Sequence, residues 1–103
     1  MEIKLENQNF AELIAGEKLV IVDFYADWCG PCKMLGKTME DLLAKEPDLT
    51  IVKVNVDDHE ELAAQFQVRS IPAVFAVKGG KCVDSFVGAM PLASLEQFVA
   101  KNK

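Results

Sequence analysis

The stretch "VDFYADWCGPCK", residues 22–33, runs from β-branched and aromatic residues straight into two cysteines separated by a glycine and a proline. The run begins earlier, as "KLVIVDFYA", residues 18–26. It is continuous, apolar and of strand length, the pattern of a strand covered on both faces. Beyond the cysteines the period changes: Leu35, Met39 and Leu42 recur at i, i+4 and i+7, with Met34 and Leu43 expected to widen the stripe and Pro47 to close the helix. The two cysteines therefore stand where a strand hands over to a helix. A helix N-terminus carries unsatisfied N–H groups and about half a positive charge, which stabilises a thiolate, the nucleophile of disulfide exchange. Pro31 suits the first helical turn because its missing N–H would have had no partner there. On this reading Cys29 sits just before the helix and exposed. Cys32 follows one turn on, within disulfide reach and turned inward, so that one sulfur attacks and the other resolves.

Working outward, "IKL" at residues 3–5 predicts a short edge strand, and Phe10, Leu13 and Ile14 mark one face of a helix ended near Gly16. "TIVKVNV", residues 50–56, alternates, with Val52, Val54 and Val56 on one face of a second buried strand. "DDHEELAAQF", residues 57–66, predicts a short helix anchored by Leu62 and Phe66, with Asp57 or Asp58 as its N-cap. "AVFAV" and "CVDSFV" read as two strands joined by "KGGK", in which Gly79-Gly80 forms a two-residue hairpin turn. Leu92, Leu95 and Val99, with Phe98 beside them, make a last amphipathic helix. Strands alternating with helices, then a hairpin and a helix, imply an α/β fold. Its central sheet is mixed, a parallel βαβ part plus an antiparallel hairpin, with helices on both faces.

The 103 residues suit one domain, 1–103, and with half of them apolar the chain can bury a core without crosslinks. Sixteen acids against eleven bases leave a net charge of −5, which argues against nucleic acid and against an anionic membrane surface as partners. "MEIKLENQNF" lacks the features of a signal peptide, and the apolar runs are too short to span a bilayer, so a cytoplasmic protein is expected. Reducing cytosol does not sustain structural disulfides, and three cysteines, Cys29, Cys32 and Cys82, are an odd number for a stapled scaffold. A zinc site is the other use of Cys-x-x-Cys. Cys82 and His59 would bring the ligand count to four, but they lie in unrelated elements and form no second knuckle.

"VDFYADWCGPCK", with "RSIPA" at residues 69–73 and "VGA" at residues 87–89, resembles the thioredoxin family over nearly the whole chain, with the pieces in the family's order. The resemblance implies the thioredoxin fold and reduction of protein disulfides through a reversible Cys29–Cys32 pair. No bound cofactor is implied; electrons come from NADPH through a thioredoxin reductase. Disulfide-containing proteins are the targets, and the protein acts as a monomer. Cys29 matches the attacking cysteine and Cys32 the resolving one. Asp23 matches a buried carboxylate beneath them, suited by a raised pKa to take the proton of Cys32. Lys53 matches a lysine near that aspartate, although a solvated strand face also explains a lysine within "TIVKVNV". Ile71-Pro72 matches a loop with a cis proline facing the cysteines. Its Ile71 backbone groups would be free to pair with an extended target. Trp28, Gly30, Pro31, Ile71, Val87, Gly88 and Ala89 match the flat apolar rim that receives targets.

Three departures from the family pattern stand out. Tyr25 occupies a place where many members carry a second tryptophan. Gly36-Lys37 replaces a helix-kinking proline, so a straighter helix is expected. Cys82 reads as a small buried hydrophobe, with a regulatory thiol as the alternative if exposed. Glycine and proline as the spacers speak against glutaredoxin-like and isomerase-like relatives. A redox-inactive binding or chaperone subunit is the alternative function; it has no need of both cysteines, Asp23 and Ile71-Pro72 together.

Overall fold

The computed structural model describes residues 1–103. Its elements follow the order β1 (Glu2–Lys4), α1 (Phe10–Ile14), β2 (Val20–Tyr25), α2 (Gly30–Lys45), β3 (Thr50–Asn55), α3 (Glu60–Gln65), β4 (Ala73–Lys78), β5 (Lys81–Val87) and α4 (Leu92–Asn102). The sheet has the strand order β1-β3-β2-β4-β5. β3 pairs parallel with both β1 and β2, while β4 pairs antiparallel with β2 and with β5. This is the mixed sheet expected from the sequence. Its antiparallel edge exists because Gly79 and Gly80 take φ values of +59° and +76°, the left-handed geometry that a tight hairpin turn demands. The turn docks back on the chain: the Gly79 and Gly80 N–H groups donate to the carbonyls of Gly16 and Ile14, each at 2.9 Å.

Side-chain alternation in the central strands feeds two separate cores. Ile21 of β2 and Ile51 of β3 join Leu35, Met39 and Leu42 of α2 and Leu95, Phe98 and Val99 of α4. On the opposite face Val20, Val22 and Phe24 of β2 join Val52 and Val54 of β3, closed over by α1 and α3. Phe66 anchors that second layer, with its ring centroid 5.8 Å from Phe10, 5.1 Å from Phe24 and 4.9 Å from Phe75. Full burial of each such aliphatic or aromatic side chain stabilises by about 1.5–3 kcal/mol. Because β2 and α2 follow each other directly, the C-terminal end of β2 and the N-terminal end of α2 meet at one edge of the molecule.

Two local expectations are corrected. Met34 does not widen the buried stripe of α2: it is 68% exposed, because it lies just outside the Leu35–Met39–Leu42 arc, whereas Leu43 does pack against the core. Neither Asp57 nor Asp58 caps α3. The helix begins later, with His59 at the N-cap position and no side-chain capping bond. Asp57 is instead held by its neighbours, its N–H donating to Asn55 Oδ1 and its carboxylate accepting from the Trp28 indole.

Candidate active site

Cys29 is the N-cap of α2, in extended conformation, and Pro31 sits in the first turn. The Cys32 N–H donates to Cys29 Sγ at 3.2 Å, so one free donor of the helix end is aimed at that sulfur. The two cysteines form a disulfide with their Cα atoms 5.2 Å apart, within the ordinary range. Cys29 is not exposed as the sequence suggested; it is 5% exposed and Cys32 4%. With Ala26 the pair makes a small apolar cluster against which Tyr25, Val56 and Ile71 pack, and Cys29 Sγ lies 4.0 Å from the Ile71 carbonyl oxygen. Exposure therefore does not separate the two sulfurs in this oxidised state. Position does: Cys29 Sγ lies near the Ile71 carbonyl, while Cys32, and not Cys29, lines a groove with Tyr25, Gly36 and Lys53.

The Ile71-Pro72 peptide is cis. Gly88, at φ +94°, ends β5 and donates its N–H to the Pro72 carbonyl at 2.8 Å, which ties the Val87–Ala89 segment to the cis-proline loop. Only glycine is at ease in that left-handed conformation. Trp28 is 72% exposed and Val87 65%, so both stand on the surface rather than in a core. Gly30, Pro31 and Ala89 are exposed and Ile71 is half-buried, while Pro72 is buried. The Trp28 indole donates to Asp57 Oδ2 at 3.0 Å. That anchoring role for Asp57 escaped the sequence reading because an acid ahead of a helix looks like a cap.

Asp23 is 1% exposed, and neither carboxylate oxygen has a hydrogen-bond partner. Alternation in β2 places it on the α2/α4 side of the sheet, like Ile21, at the strand end that adjoins the N-terminus of α2. Burial pushes its pKa up to about 6; Lys53 opposes the rise and Glu2 adds to it. The alternative of a strand-end acid reaching water is thereby removed. Lys53 is directly across the β2–β3 ladder from Asp23 but makes no ion pair with it. Its Nζ lies over the Tyr25 ring instead, 4.6 Å from the centroid. In the sequence Tyr25 stands out only as a departure from the family pattern, and strand alternation alone does not predict this contact.

The Gly36-Lys37 departure leaves α2 unbroken from Gly30 to Lys45. Cys82 is exposed, correcting its expected burial. It is the second residue of β5, the outer strand of the hairpin at the edge of the sheet, with its thiol 3.5 Å from the Asp84 carbonyl. Partial desolvation of the sulfur nonetheless pushes its pKa up, which disfavours the thiolate. The structure does not bring Cys82 and His59 to the Cys29–Cys32 pair. His59 Nε2 is engaged with the Leu5 carbonyl at 2.9 Å, and no three His, Cys, Asp or Glu side chains converge on a metal-sized site.

Comparison with known proteins agrees with this geometry. The thioredoxin family model matches residues 1–101. Thioredoxin 2 of Chlorobaculum tepidum is 48% identical over 87 residues, covering 82% of this chain and 80% of that one. The mitochondrial thioredoxin of Mus musculus is 43% identical over 90 residues, covering 86% of this chain; the match spans about half of that relative's length, 54%. Among solved structures, Fasciola hepatica thioredoxin superimposes with a TM-score of 0.83 at 37% identity, covering 89% of each chain. A chain matched over residues 1–101, closing its two motif cysteines into a disulfide at a helix N-terminus, belongs to the thioredoxin family of thiol–disulfide oxidoreductases.

Proposed function

We propose that this protein, as a single domain over residues 1–103, reduces disulfides in other proteins, with Cys29 as the attacking sulfur and Cys32 as the resolving one. The observation that carries this assignment is the Cys32 N–H directed at Cys29 Sγ on the end of a 16-residue helix, beside the Ile71 carbonyl. In the reduced protein a Cys29 thiolate attacks one sulfur of the target disulfide. The new Cys29–target bond forms as the target disulfide breaks, and one target sulfur leaves as a thiolate. Cys32, deprotonated, then attacks Cys29 Sγ and expels the second target thiolate, leaving the Cys29–Cys32 disulfide. Asp23 accepts the proton of Cys32 in that second step. Its pKa near 6 keeps it mostly ionised at neutral pH yet far more basic than an ordinary carboxylate. Lys53 holds the charge of Asp23 in check.

Targets lie across Trp28, Gly30, Pro31, Ile71-Pro72, Val87, Gly88 and Ala89, with an extended segment pairing to the Ile71 backbone. Two electrons from NADPH, passed through a thioredoxin reductase, regenerate the dithiol, and no cofactor is bound. The exposed large apolar side chains other than Trp28 and Val87 are scattered, Met1, Met34 and Val83, which favours a monomer. No helix is long and apolar enough to cross a membrane. The exposed free thiol of Cys82 suits a reducing compartment, and the cytoplasm is the one proposed. The net charge of −5 weighs against nucleic acid and anionic membranes as partners. A redox-inactive binding role is disfavoured, since an unpartnered buried carboxylate would serve nothing there.

The test is reduction of insulin disulfides with dithiothreitol as donor, beside trapping with a disulfide-containing target. Cys29→Ser is expected to abolish catalysis and trap little, while Cys32→Ser accumulates mixed disulfides through Cys29. Equal trapping by the two variants would reverse or remove the assignment. A well-folded parent protein with no catalysis would return the binding-subunit reading.

A further inference from the structure

Lys53 is the charged residue closest to Asp23 along the ladder, yet nothing of opposite charge holds it. The ion pairs of the molecule join Lys45 to Glu96, Lys101 to Asp84 and Lys103 to Glu46, and the Lys53 ammonium takes part in no hydrogen bond. A four-carbon side chain on a half-buried strand position has every entropic reason to swing into water. It stays instead against the face of Tyr25, at 4.6 Å. Gly36 of α2 also approaches the ammonium: a Cβ built there would stand 3.7 Å from Lys53 Nζ. Tyr25, Gly36 and Lys53 together wall one side of a groove of about 430 Å³ that reaches Cys32. The ring is the only partner the ammonium has, and it lies on the same strand and the same sheet face as Asp23.

We infer that Tyr25 is a positioning residue for the redox reaction: its ring holds the Lys53 ammonium beside Asp23 and so sets where the Asp23 carboxyl titrates. The inference rests on the roles proposed above for Asp23 and Lys53. A cation fixed nearby favours the carboxylate; one released to solvent is screened and leaves burial unopposed. Other charges around Asp23 do not substitute for it. From β1 Glu2 raises its pKa, and β4 presents only Val74 opposite it. From α2 the groove receives Lys33, Lys37 and Glu40, exposed and of mixed sign, and the Cys29–Cys32 disulfide does not titrate. Burial, with the carboxylates of Asp27, Asp23, Asp58 and Glu2, pushes the Tyr25 hydroxyl pKa up, so the ring acts as a neutral π face.

The experiment follows the Asp23 carboxyl by carbon-13 NMR through a pH titration of the oxidised protein, where no thiol interferes. Tyr25→Phe keeps the π face, and pentafluorophenylalanine at position 25 keeps the shape while inverting the charge of that face, so loss of folding is not at issue. The Phe variant is expected to titrate like the parent, and the fluorinated ring to raise the midpoint by about half a pH unit, with the pH profile of insulin reduction moving the same way. In a Lys53→Met background, where the midpoint is already raised, the two rings should become equivalent. Equal midpoints for the two rings with Lys53 present would overturn the Tyr25 role alone. A Lys53→Met midpoint no higher than the parent's would overturn both it and the Lys53–Asp23 coupling proposed above.

Discussion

On the α1/α3 side of the sheet, Val20, Val22, Phe24, Val52 and Val54 meet an apolar layer in which Phe24 packs against Phe66 and Phe75. On the α2/α4 side the same two strands present Ile21 and Ile51, and then, one alternation further, Asp23 and Lys53. The first side follows packing alone. The second is a packed core along most of its length and a polar defect at one end, where the buried carboxylate has no partner. A defect of that kind weakens the fold, since an unpaired ionised carboxylate in low dielectric is strongly disfavoured. Its location is the instructive point. It sits at the edge where α2 begins, beside the disulfide, and nowhere else in the core is a charged side chain buried. Among the buried side chains, that cost falls only at the edge where α2 begins.

The contrast can be broken most sharply on the apolar side. Phe24 is fully buried between two other rings, so Phe24→Ala is expected to destabilise by about 3–5 kcal/mol, read as a loss relative to the parent that is the same at pH 4 and pH 8. A pH-dependent loss would mean that this face too harbours a titrating defect.

On the polar side the sign reverses. The Asp23 pKa rises from 3.8 to about 6, which at about 1.4 kcal/mol per unit makes Asp23→Asn more stable than the parent by up to about 3 kcal/mol. A carboxyl whose folded pKa is raised contributes its full share of stability below its ordinary value. That share is lost as pH rises through about 6. The advantage of Asp23→Asn is therefore near zero at pH 3.5, grows between pH 4 and 6 and is level by pH 8, while disulfide turnover slows. Identical denaturation midpoints for the two proteins at pH 8 would show that Asp23 is not held in the apolar setting described.

The smallest effect tests how the two elements meet over Lys53. Gly36→Ala gains about 1 kcal/mol of helix propensity, and its new Cβ would make an ordinary contact with Lys53 Nζ at 3.7 Å. A modest rise in thermal midpoint is expected. A fall would mean that the ammonium has no room to yield between Tyr25 and α2.

Much of this is legible in the sequence. The run into "WCGPC" placed a buried strand before a helix, and β2 and α2 are where that reading put them, because a continuous apolar run and an i, i+4, i+7 stripe leave few other ways to bury carbon. Gly79-Gly80 announced the hairpin through a backbone geometry that other residues resist. Misreadings occurred where a residue had two uses of similar energy. Asp57 could cap a helix or receive an indole, and it receives Trp28. Met34 could extend the stripe or face water, and the angle between adjacent helical positions sends it outward. Cys82 could pack or stand at an edge, and its strand is the outermost of the sheet.

The sequence by itself determined the order of elements, the mixed character of the sheet and the pair of sulfurs at a helix start. All of these follow from periodicity and local backbone preference, interactions between residues near in the chain. Only the tertiary structure decided that Asp23 is sealed from water without a partner, that the Gly88 N–H donates to the carbonyl of the cis Pro72, and that Lys53 rests on Tyr25. Those facts depend on which strands become neighbours and which face each helix covers. Burial, and with it the pKa of a carboxyl, is a property of the surroundings that distant parts of the chain supply.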